Sequence, residues 1–351
     1  MSHRRLVGIV GIGLSAALIV SAAGSTLAQD ASPSVAPAAT PSPSPFVATP
    51  GDVTLVAYST PRQAYSDLID AFSATPAGAG VSFETSFGAS GDQSRAVAAG
   101  LPADYVAFSL SPDIDRLVTA GIVAPDWNSD QYKGNVTDSV VVLVTRQGNP
   151  KGIKGWDDLT RADVSVITPN PFTSGGARWN VMAAYGAQIK AGKTPEQATQ
   201  YLKDLFARVA VQDKSARDAL QTFVSGQGDV MIAYENEAIT AINAGQPVEY
   251  IVPDATILIE NPAAVTLNGD ALVPAKAFLD YVHTPEAQAI FGNQGYRPVD
   301  PAVLATFTNF PTPSQLFTID DLGGWTAVTK QFFDKDTGIV AGIERDLGVQ
   351  P

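Results

Sequence analysis

Apolar positions along the chain follow two periods, one typical of strands and one typical of helices. Short apolar runs at 53–58, 140–144 and 164–167 are typical of strands that are buried on both faces. Segments such as 62–72 and 177–190 instead carry apolar residues at helical spacing. Because a strand is followed by a helix again and again, we expect right-handed crossovers and mostly parallel sheets. The pattern therefore predicts an α/β fold.

The same two periods predict the remaining elements. Further strands are predicted at 81–87, 105–109, 209–211, 228–237, 250–253 and 257–265. Further helices are predicted at 113–120, 196–208, 270–282, 285–292 and 322–333.

Three serines, Ser90, Ser174 and Ser215, each open a predicted helix directly after a predicted strand. Serine caps a helix well, and the first turn exposes unpaired N–H groups at the positive end of the helix dipole. This arrangement suits an oxyanion, and α/β sheets bind ligands outside the carboxyl ends of their strands. Gly175 and Gly176 let a small ligand approach the backbone closely. A capped helix without a ligand is the commoner arrangement, so the repetition is what predicts an anion site.

The first fifty residues differ in composition from the rest. Arg4 and Arg5 precede an apolar stretch at 6–20, and Thr26-Leu27-Ala28 resembles a small-residue cleavage site. Residues 1–28 are therefore predicted to be a secretory signal peptide, with an uncleaved anchor as the alternative. Residues 29–50 are rich in Ala, Ser, Pro and Thr and are predicted to be an extended linker.

Charge and composition exclude several kinds of partner and site. The formal net charge of −13 argues against nucleic acid and anionic membranes, although it does not exclude a small anion that local dipoles attract. The chain has no cysteine, and His283 is the one histidine beyond the predicted signal peptide. Neither a Ser-His or Cys-His nucleophile nor a histidine metal site is expected. We therefore expect no cofactor, and most enzyme classes are disfavoured.

Seven segments of the chain, at 58–62, 88–91, 164–180, 215–217, 226–230, 235–238 and 295–298, together resemble one protein family. They are similar to the sulfate- and thiosulfate-binding proteins that deliver anions to ABC importers. The likeness runs from about residue 53 to residue 325. Its most specific part is the segment at 164–180, which contains Thr-Pro-Asn-Pro and Ser-Gly-Gly-Ala-Arg-Trp-Asn.

The resemblance implies a two-lobed periplasmic-binding-protein fold of type II. Two mostly parallel sheets flanked by helices are expected, with lobe I at 51–140 plus 255–351 and lobe II at 141–254. Strands near 135–144 and 250–259 are expected to form a two-strand hinge, with the anion in the cleft between the lobes. The resemblance also implies a monomer in the periplasm or cell envelope that delivers its anion to a membrane permease.

The resemblance further implies a set of ligand-binding residues at matching positions. Backbone N–H groups are expected to hold the anion, from Thr60, Ser90, Gly175, Gly176 and Ala216. The hydroxyl of Ser174 is expected to join them, and so is Tyr234, where the sulfate binders carry tryptophan. The family usually has aspartate where this chain has Thr60, but the donor there is the main chain. Because a phenol O–H reaches differently from an indole N–H, the choice between sulfate and thiosulfate stays open.

The chemistry of sulfate explains why such a site consists of donors. Sulfate carries no proton at physiological pH, whereas hydrogen phosphate would bury a proton without an acceptor. Six or seven charge-assisted hydrogen bonds give roughly 9–21 kcal/mol before desolvation. If about 8 kcal/mol of this free energy remains after the cost of desolvation, the affinity is micromolar.

Charged residues near the predicted cleft leave two alternatives open. Arg178 and Arg217 are expected to orient the amide-bearing turns by pairing with carboxylates, while direct contact with the anion is the alternative. The candidate carboxylates are Asp92, Glu235 and Glu237. A hydrolase would instead use acidic groups after the strand at 228–237 as acid and base, namely Asp229, Glu235 and Glu237. A surface adhesion or scaffold protein is a third possibility, prompted by the Pro-rich linker.

Overall fold

Strands and helices alternate through most of residues 51–349, which are the residues that the computed structural model describes. The predicted signal peptide (1–28) and linker (29–50) lie outside them. The strands are β1 (Gly51–Tyr58), β2 (Val81–Gly88), β3 (Tyr105–Ala107), β4 (Asn135–Arg146), β5 (Val166–Ile167), β6 (Val209–Val211), β7 (Val230–Tyr234), β8 (Val248–Ile251), β9 (Ala255–Val265) and β10 (Gln315–Phe317).

The α-helices follow the same order along the described chain. They are α1 (Arg62–Ser73), α2 (Ser90–Ala98), α3 (Ser111–Thr119), α4 (Gly175–Lys190), α5 (Pro195–Phe206), α6 (Ala216–Val224), α7 (Glu235–Asn243), α8 (Leu272–Val282), α9 (Pro285–Asn293), α10 (Pro301–Leu304), α11 (Gly324–Phe332) and α12 (Ile339–Asp346). Among residues 51–349, no helix combines the length and the apolar character that crossing a bilayer requires.

The strands form two parallel groups joined by two antiparallel strands. Their order is β2-β1-β3-β9-β4-β7-β5-β6, with β8 beside β4 and β10 beside β9. Pairing is parallel within β2-β1-β3 and within β7-β5-β6. The pairs β3-β9, β9-β4 and β4-β7 are antiparallel. We call the first group with its helices the first half, and the second group with its helices the second half. The predicted α/β fold, with two parallel groups and a two-strand connection, is confirmed.

The two connecting strands join the halves by pairing with each other and with one half each. In β4, residues 135–140 pair with β9 and residues 141–145 pair with β7, while the end of β9 pairs with β3. Of the predicted hinge segment at 250–259, only residues 255–259 lie in a connecting strand, β9. Tyr250 belongs to β8, which pairs with β4 next to the second half, and β9 makes the crossing.

The C-terminal helices pack on the second half. The ring of Trp325 in α11 meets Trp179 of α4 edge-on at 4.7 Å between centroids, and Phe332 meets Tyr185 at 4.8 Å. Val340 of α12 belongs to the same buried cluster. The predicted lobe boundaries stay a prediction, and this packing argues for counting α11 and α12 with the second half rather than with lobe I.

Two of the three predicted serine caps are confirmed. The Oγ atoms of Ser174 and Ser215 accept hydrogen bonds from backbone N–H groups three residues later, at 3.4 and 3.2 Å. The prediction for Ser90 is wrong, because α2 begins at Ser90 and Ala89 occupies the cap position. The Ser90 hydroxyl instead donates to the buried carboxylate of Asp113 at 2.6 Å. A hydrogen bond to a buried charge is stronger than a cap, which explains the difference.

Candidate functional site

The N-termini of α2, α4 and α6 meet at one place between the two halves. The N–H of Gly91 in the first turn of α2 donates to the carbonyl of Thr173, just before α4, at 3.1 Å. The Thr173 hydroxyl donates in turn to the carbonyl of Lys214, just before α6, at 2.7 Å. The Lys214 ammonium lies 2.9 Å from Asp92, back in α2. Three helix starts therefore lie in contact with one another, and the first turn of a helix leaves N–H groups without a partner inside the helix.

Gly176 lies among three other predicted site residues. A Cβ built on Gly176 would lie 3.5 Å from Ser174 Oγ, 3.5 Å from Tyr234 Cε1 and 3.6 Å from Ala216 Cβ. Residues from α4, α6 and the end of β7 thus approach within the reach of one methyl group. The structure brings together the predicted residues of the second half.

Gly175 is packed against the first half. A Cβ on this residue would lie 2.7 Å from Ser109 Cβ and 2.7 Å from Leu110 Cδ2, closer than such atoms approach in proteins. Only glycine fits here while the two halves are in contact. Packing against the loop after β3 therefore requires glycine at position 175, apart from any requirement that a ligand adds.

Ser109 connects Ser90 to Tyr234 and was missed by the sequence reasoning. Its Oγ lies 2.6 Å from the hydroxyl of Tyr234, and its N–H donates to Ser90 Oγ at 3.0 Å. Its carbonyl accepts the indole N–H of Trp179 at 2.7 Å. One signal was available, because Ser109 ends the predicted strand at 105–109, where ligands of α/β sheets bind.

Thr60 lies beside a buried tyrosine. Its hydroxyl lies 3.0 Å from that of Tyr296. Burial raises the pKa of Tyr58, Tyr234 and Tyr296 well above the usual value, so each phenol keeps its proton at physiological pH. Tyr58 also contributes to the raised pKa of Tyr234. No sequence pattern singled out Tyr58 or Tyr296 as part of the site.

The predicted anion-contacting residues are all buried. The most exposed is Thr60 at 9%, and the others are Ser90, Ser174, Gly175, Gly176, Ala216 and Tyr234. They offer backbone N–H groups, hydroxyls and one phenol, with no charged side chain among them. Such a set can hold a small anion that lacks protons, because the donors lose water contacts and gain a charged acceptor.

Arg178 supports the turn before α4 through a main-chain hydrogen bond. Its Nε donates to the carbonyl of Pro171 at 2.9 Å, and its guanidinium carbon lies 4.9 Å from the centre of the Phe333 ring. The expected pairing of Arg178 with a carboxylate stays a prediction: burial lowers the pKa of Arg178 and the charge of Asp113 opposes this shift, while the Nε hydrogen bond goes to a main-chain acceptor. Arg178 therefore fixes the loop that leads to Ser174.

Arg217 lies near a buried carboxylate. Burial raises the pKa of Glu237 to about 7, and the positive charge of Arg217 opposes this shift. Glu237 is 2% exposed at the start of α7, so Arg217 stabilises its charged form. The expected role of Arg217, which is to orient its turn through a carboxylate, stays a prediction.

The carboxylates considered for a hydrolase have separate partners. Asp229 accepts the N–H of Ser165 at 2.9 Å, and Glu235 makes two hydrogen bonds to Arg297 at 2.7 and 3.1 Å. With Glu237 near Arg217, each acidic group is engaged by a different part of the fold. This arrangement gives the hydrolase hypothesis no support.

Comparison with known proteins identifies the family of the chain. The family described as "Bacterial extracellular solute-binding protein" matches residues 53–297. The sulfate-binding protein of Synechococcus elongatus is 43% identical over 313 residues, covering 84% of this chain and 88% of that protein. The thiosulfate-binding protein of Pseudomonas aeruginosa is 33% identical over 294 residues, covering 79% and 88%.

A solved structure of a sulfate-binding protein also matches the chain. The sulfate-binding protein SubI from Mycobacterium tuberculosis superimposes with a TM-score of 0.79 at 48% identity, covering 81% of this chain and 99% of that one. The match of the family to most of the described residues and the similarity of this solved structure agree with the two-half fold. The chain belongs to the bacterial extracellular solute-binding protein family.

Proposed function

We propose that this protein is an extracytoplasmic sulfate receptor that delivers its anion to an ABC importer. The observation that carries the proposal is the meeting of three helix N-termini, of α2, α4 and α6, at one buried place beside Tyr234. Relatives named as sulfate-binding proteins support it.

The proposed site has one ligand position between the two halves. Backbone N–H groups donate to the anion, from Thr60, Ser90, Gly175, Gly176 and Ala216. The Ser174 hydroxyl and the Tyr234 phenol complete the set of donors. Arg178 and Arg217 act behind the site, where they hold the turns before α4 and after Ser215.

The electrostatics favour a dianion despite the net charge of −13. Helix dipoles and unpaired N–H groups act at contact distance, whereas surface carboxylates are screened beyond about 8–10 Å. A ligand with a proton would require an acceptor among the donors, and leaving that proton buried without a partner is unfavourable. The site therefore selects a fully deprotonated tetrahedral oxyanion.

The proposal also covers location and partners. Because the sequence predicts a signal peptide at 1–28, we place the protein in the periplasm or cell envelope, where it acts as a monomer. Its partners are the anion and the membrane permease of the importer, without nucleic acid and without a catalytic step. Tyr234 keeps thiosulfate as a second candidate ligand, which a relative named as a thiosulfate-binding protein supports.

Calorimetric titration with sulfate, thiosulfate, molybdate and phosphate tests the proposal. We expect saturable sulfate or thiosulfate binding with micromolar or tighter affinity, and phosphate binding that is at least tenfold weaker. Molybdate is the control for size, because it is also a tetrahedral dianion. If neither sulfate nor thiosulfate produces heat or raises the melting temperature, the proposed function is wrong.

A further inference from the structure

Ser109 and Tyr234 form a single hydroxyl pair that joins the two halves. Ser109 follows β3 in the first half, and Tyr234 ends β7 in the second half. Their oxygens lie 2.6 Å apart, and the residues are 1% and 1% exposed. Geometry alone permits either hydroxyl to be the donor.

The backbone of Ser109 is fixed by contacts on three sides. Its N–H donates to Ser90 Oγ at 3.0 Å. Its carbonyl accepts from Trp179 Nε1 at 2.7 Å and from Asn261 Nδ2 at 3.0 Å. Because these bonds hold the residue in place against Gly175, its hydroxyl has little freedom to leave Tyr234.

A bound anion decides which hydroxyl donates. The Tyr234 phenol has one hydrogen, and burial keeps it protonated. An anion with only lone pairs can bind Tyr234 only if that hydrogen points to the anion. Ser109 must then donate to the phenol oxygen, which gives a chain of hydrogen bonds from Ser109 to Tyr234 to the anion.

We propose that Ser109 is a positioning residue that directs the hydroxyl hydrogen of Tyr234 toward the bound anion. The inference rests on the proposed function, because it needs an anion beside Tyr234. Each bond in such a chain polarises the next, so donation by Ser109 makes the phenol a stronger donor. Ser109 therefore contributes to affinity through Tyr234, without touching the ligand itself.

A double-mutant cycle on sulfate affinity tests this directly. The proteins are the parent, Ser109→Ala, Tyr234→Phe and the double variant, each measured by calorimetry. We expect Tyr234→Phe to weaken binding about 10–100-fold, because a hydrogen bond to a charged group is lost. Ser109→Ala alone should weaken it about 2–10-fold. The double variant should bind no more weakly than Tyr234→Phe, since Ser109 then has no phenol to direct.

A matched control separates this effect from a general loss of packing. Ser139 on β4 is also a fully buried serine, but its hydroxyl donates to Asn236 at 3.4 Å instead of to a tyrosine. Ser139→Ala should show an effect that adds to that of Tyr234→Phe. Melting temperatures without sulfate check that each variant is folded.

A spectroscopic readout follows the phenol itself. Sulfate should change the ultraviolet difference spectrum of tyrosine in the parent, and the Tyr234→Phe variant identifies the part that belongs to Tyr234. Ser109→Ala should reduce that part. An unchanged spectrum in Ser109→Ala, or additive effects in the Ser109/Tyr234 cycle, would overturn the inference while the sulfate site stands. Failure of the parent to bind sulfate or thiosulfate would overturn the proposed function and this inference together.

Discussion

Arg297 and Glu235 form a buried ion pair with two hydrogen bonds. Arg297 Nε and Nη2 lie 2.7 and 3.1 Å from the two carboxylate oxygens of Glu235, whose side chain is 0% exposed. Arg297 also exchanges two main-chain hydrogen bonds with Asp138 on the connecting strand β4, each at 2.8 Å. The pair thus ties the start of α7 to the strand that joins the two halves.

We predict that Glu235→Gln destabilises the protein without a direct effect on ligand contact. Removing one partner leaves the Arg297 charge buried and unpaired, which costs about 3–5 kcal/mol. Unfolding in urea should show this loss in the absence of ligand. The double change Glu235→Gln with Arg297→Met should recover part of it, because no buried charge remains. Equal stability of the parent and Glu235→Gln would contradict the prediction.

A second prediction concerns the acidic pair that faces across the connecting strands. Asp138 on β4 is the cross-strand partner of Glu260 on β9. Burial, and then the charge of Glu260, raise the pKa of Asp138 to about 8, against the opposing charge of Arg297. The folded protein therefore binds a proton that the unfolded chain, with an ordinary aspartate pKa near 3.9, releases. The protonated side chain of Asp138 therefore contributes to the free energy of unfolding in full below about pH 4. This contribution is lost as the pH rises to about 8.

The variant Asp138→Asn should remove this pH dependence. We expect it to be more stable than the parent by about 1–3 kcal/mol at pH 8 and to match the parent at pH 4. Melting temperatures of both proteins across this range provide the measurement. Glu260→Gln is the control, because removing its charge should lower the pKa of Asp138. The pH range over which the stability of the protein changes should then be narrower. A constant difference between parent and Asp138→Asn at every pH would rule out this titration.

Local sequence patterns predicted the helix starts that lie within a few residues of their strands. Ser174 caps α4, Ser215 caps α6, and Gly176 lies among its predicted neighbours, because a strand, a turn and a helix start are encoded in about ten residues. The prediction for Ser90 failed because its hydroxyl donates to Asp113, a residue in a different helix. A cap can be predicted from its own segment, whereas a competing partner cannot.

Contacts between residues that are far apart in the sequence could not be predicted for the same reason. Ser109 and Tyr234 are 125 residues apart, and Glu235 and Arg297 are 62 residues apart. Sequence periodicity identifies each of these segments as a strand end or a helix start, but it carries no information on which ends meet. The packing of Trp325 on Trp179 is a further case, since the lobe boundaries that the resemblance implied placed the C-terminal helices in lobe I.

A third prediction concerns the role of Arg178 behind the site. Because its Nε holds the Pro171 carbonyl and does not act as a ligand donor, Arg178→Ala should weaken sulfate binding only about 2–10-fold. Arg62 is the control, since it also lies in a first helical turn and stacks over a ring, that of Phe87, at 4.5 Å. Arg62→Ala should change affinity less than twofold by calorimetry. A loss of a hundredfold or more in Arg178→Ala would instead indicate direct contact with the anion.

The fourth prediction compares the two adjacent glycines at the start of α4. At Gly175 a methyl group would collide with Ser109 and Leu110, whereas at Gly176 it would lie at ordinary contact distance from its neighbours. Gly175→Ala should therefore lower the melting temperature of the ligand-free protein, and Gly176→Ala should not. Both should weaken sulfate binding, because the methyl of Gly176→Ala lies among Ser174, Ala216 and Tyr234, where the anion is proposed to bind.

Gly175→Asp adds a charge to the same steric change, so it tests the position of the anion most sharply. A carboxylate about 4 Å from a bound anion is repelled by roughly 4 kcal/mol for each unit of its charge at an effective dielectric near 20. Sulfate binding should then weaken by about a thousandfold or more. Gly175→Asn, of nearly the same size, separates charge from volume and should bind more tightly than Gly175→Asp by calorimetry. If Gly175→Asp binds sulfate as well as the parent does, the anion does not lie at the start of α4.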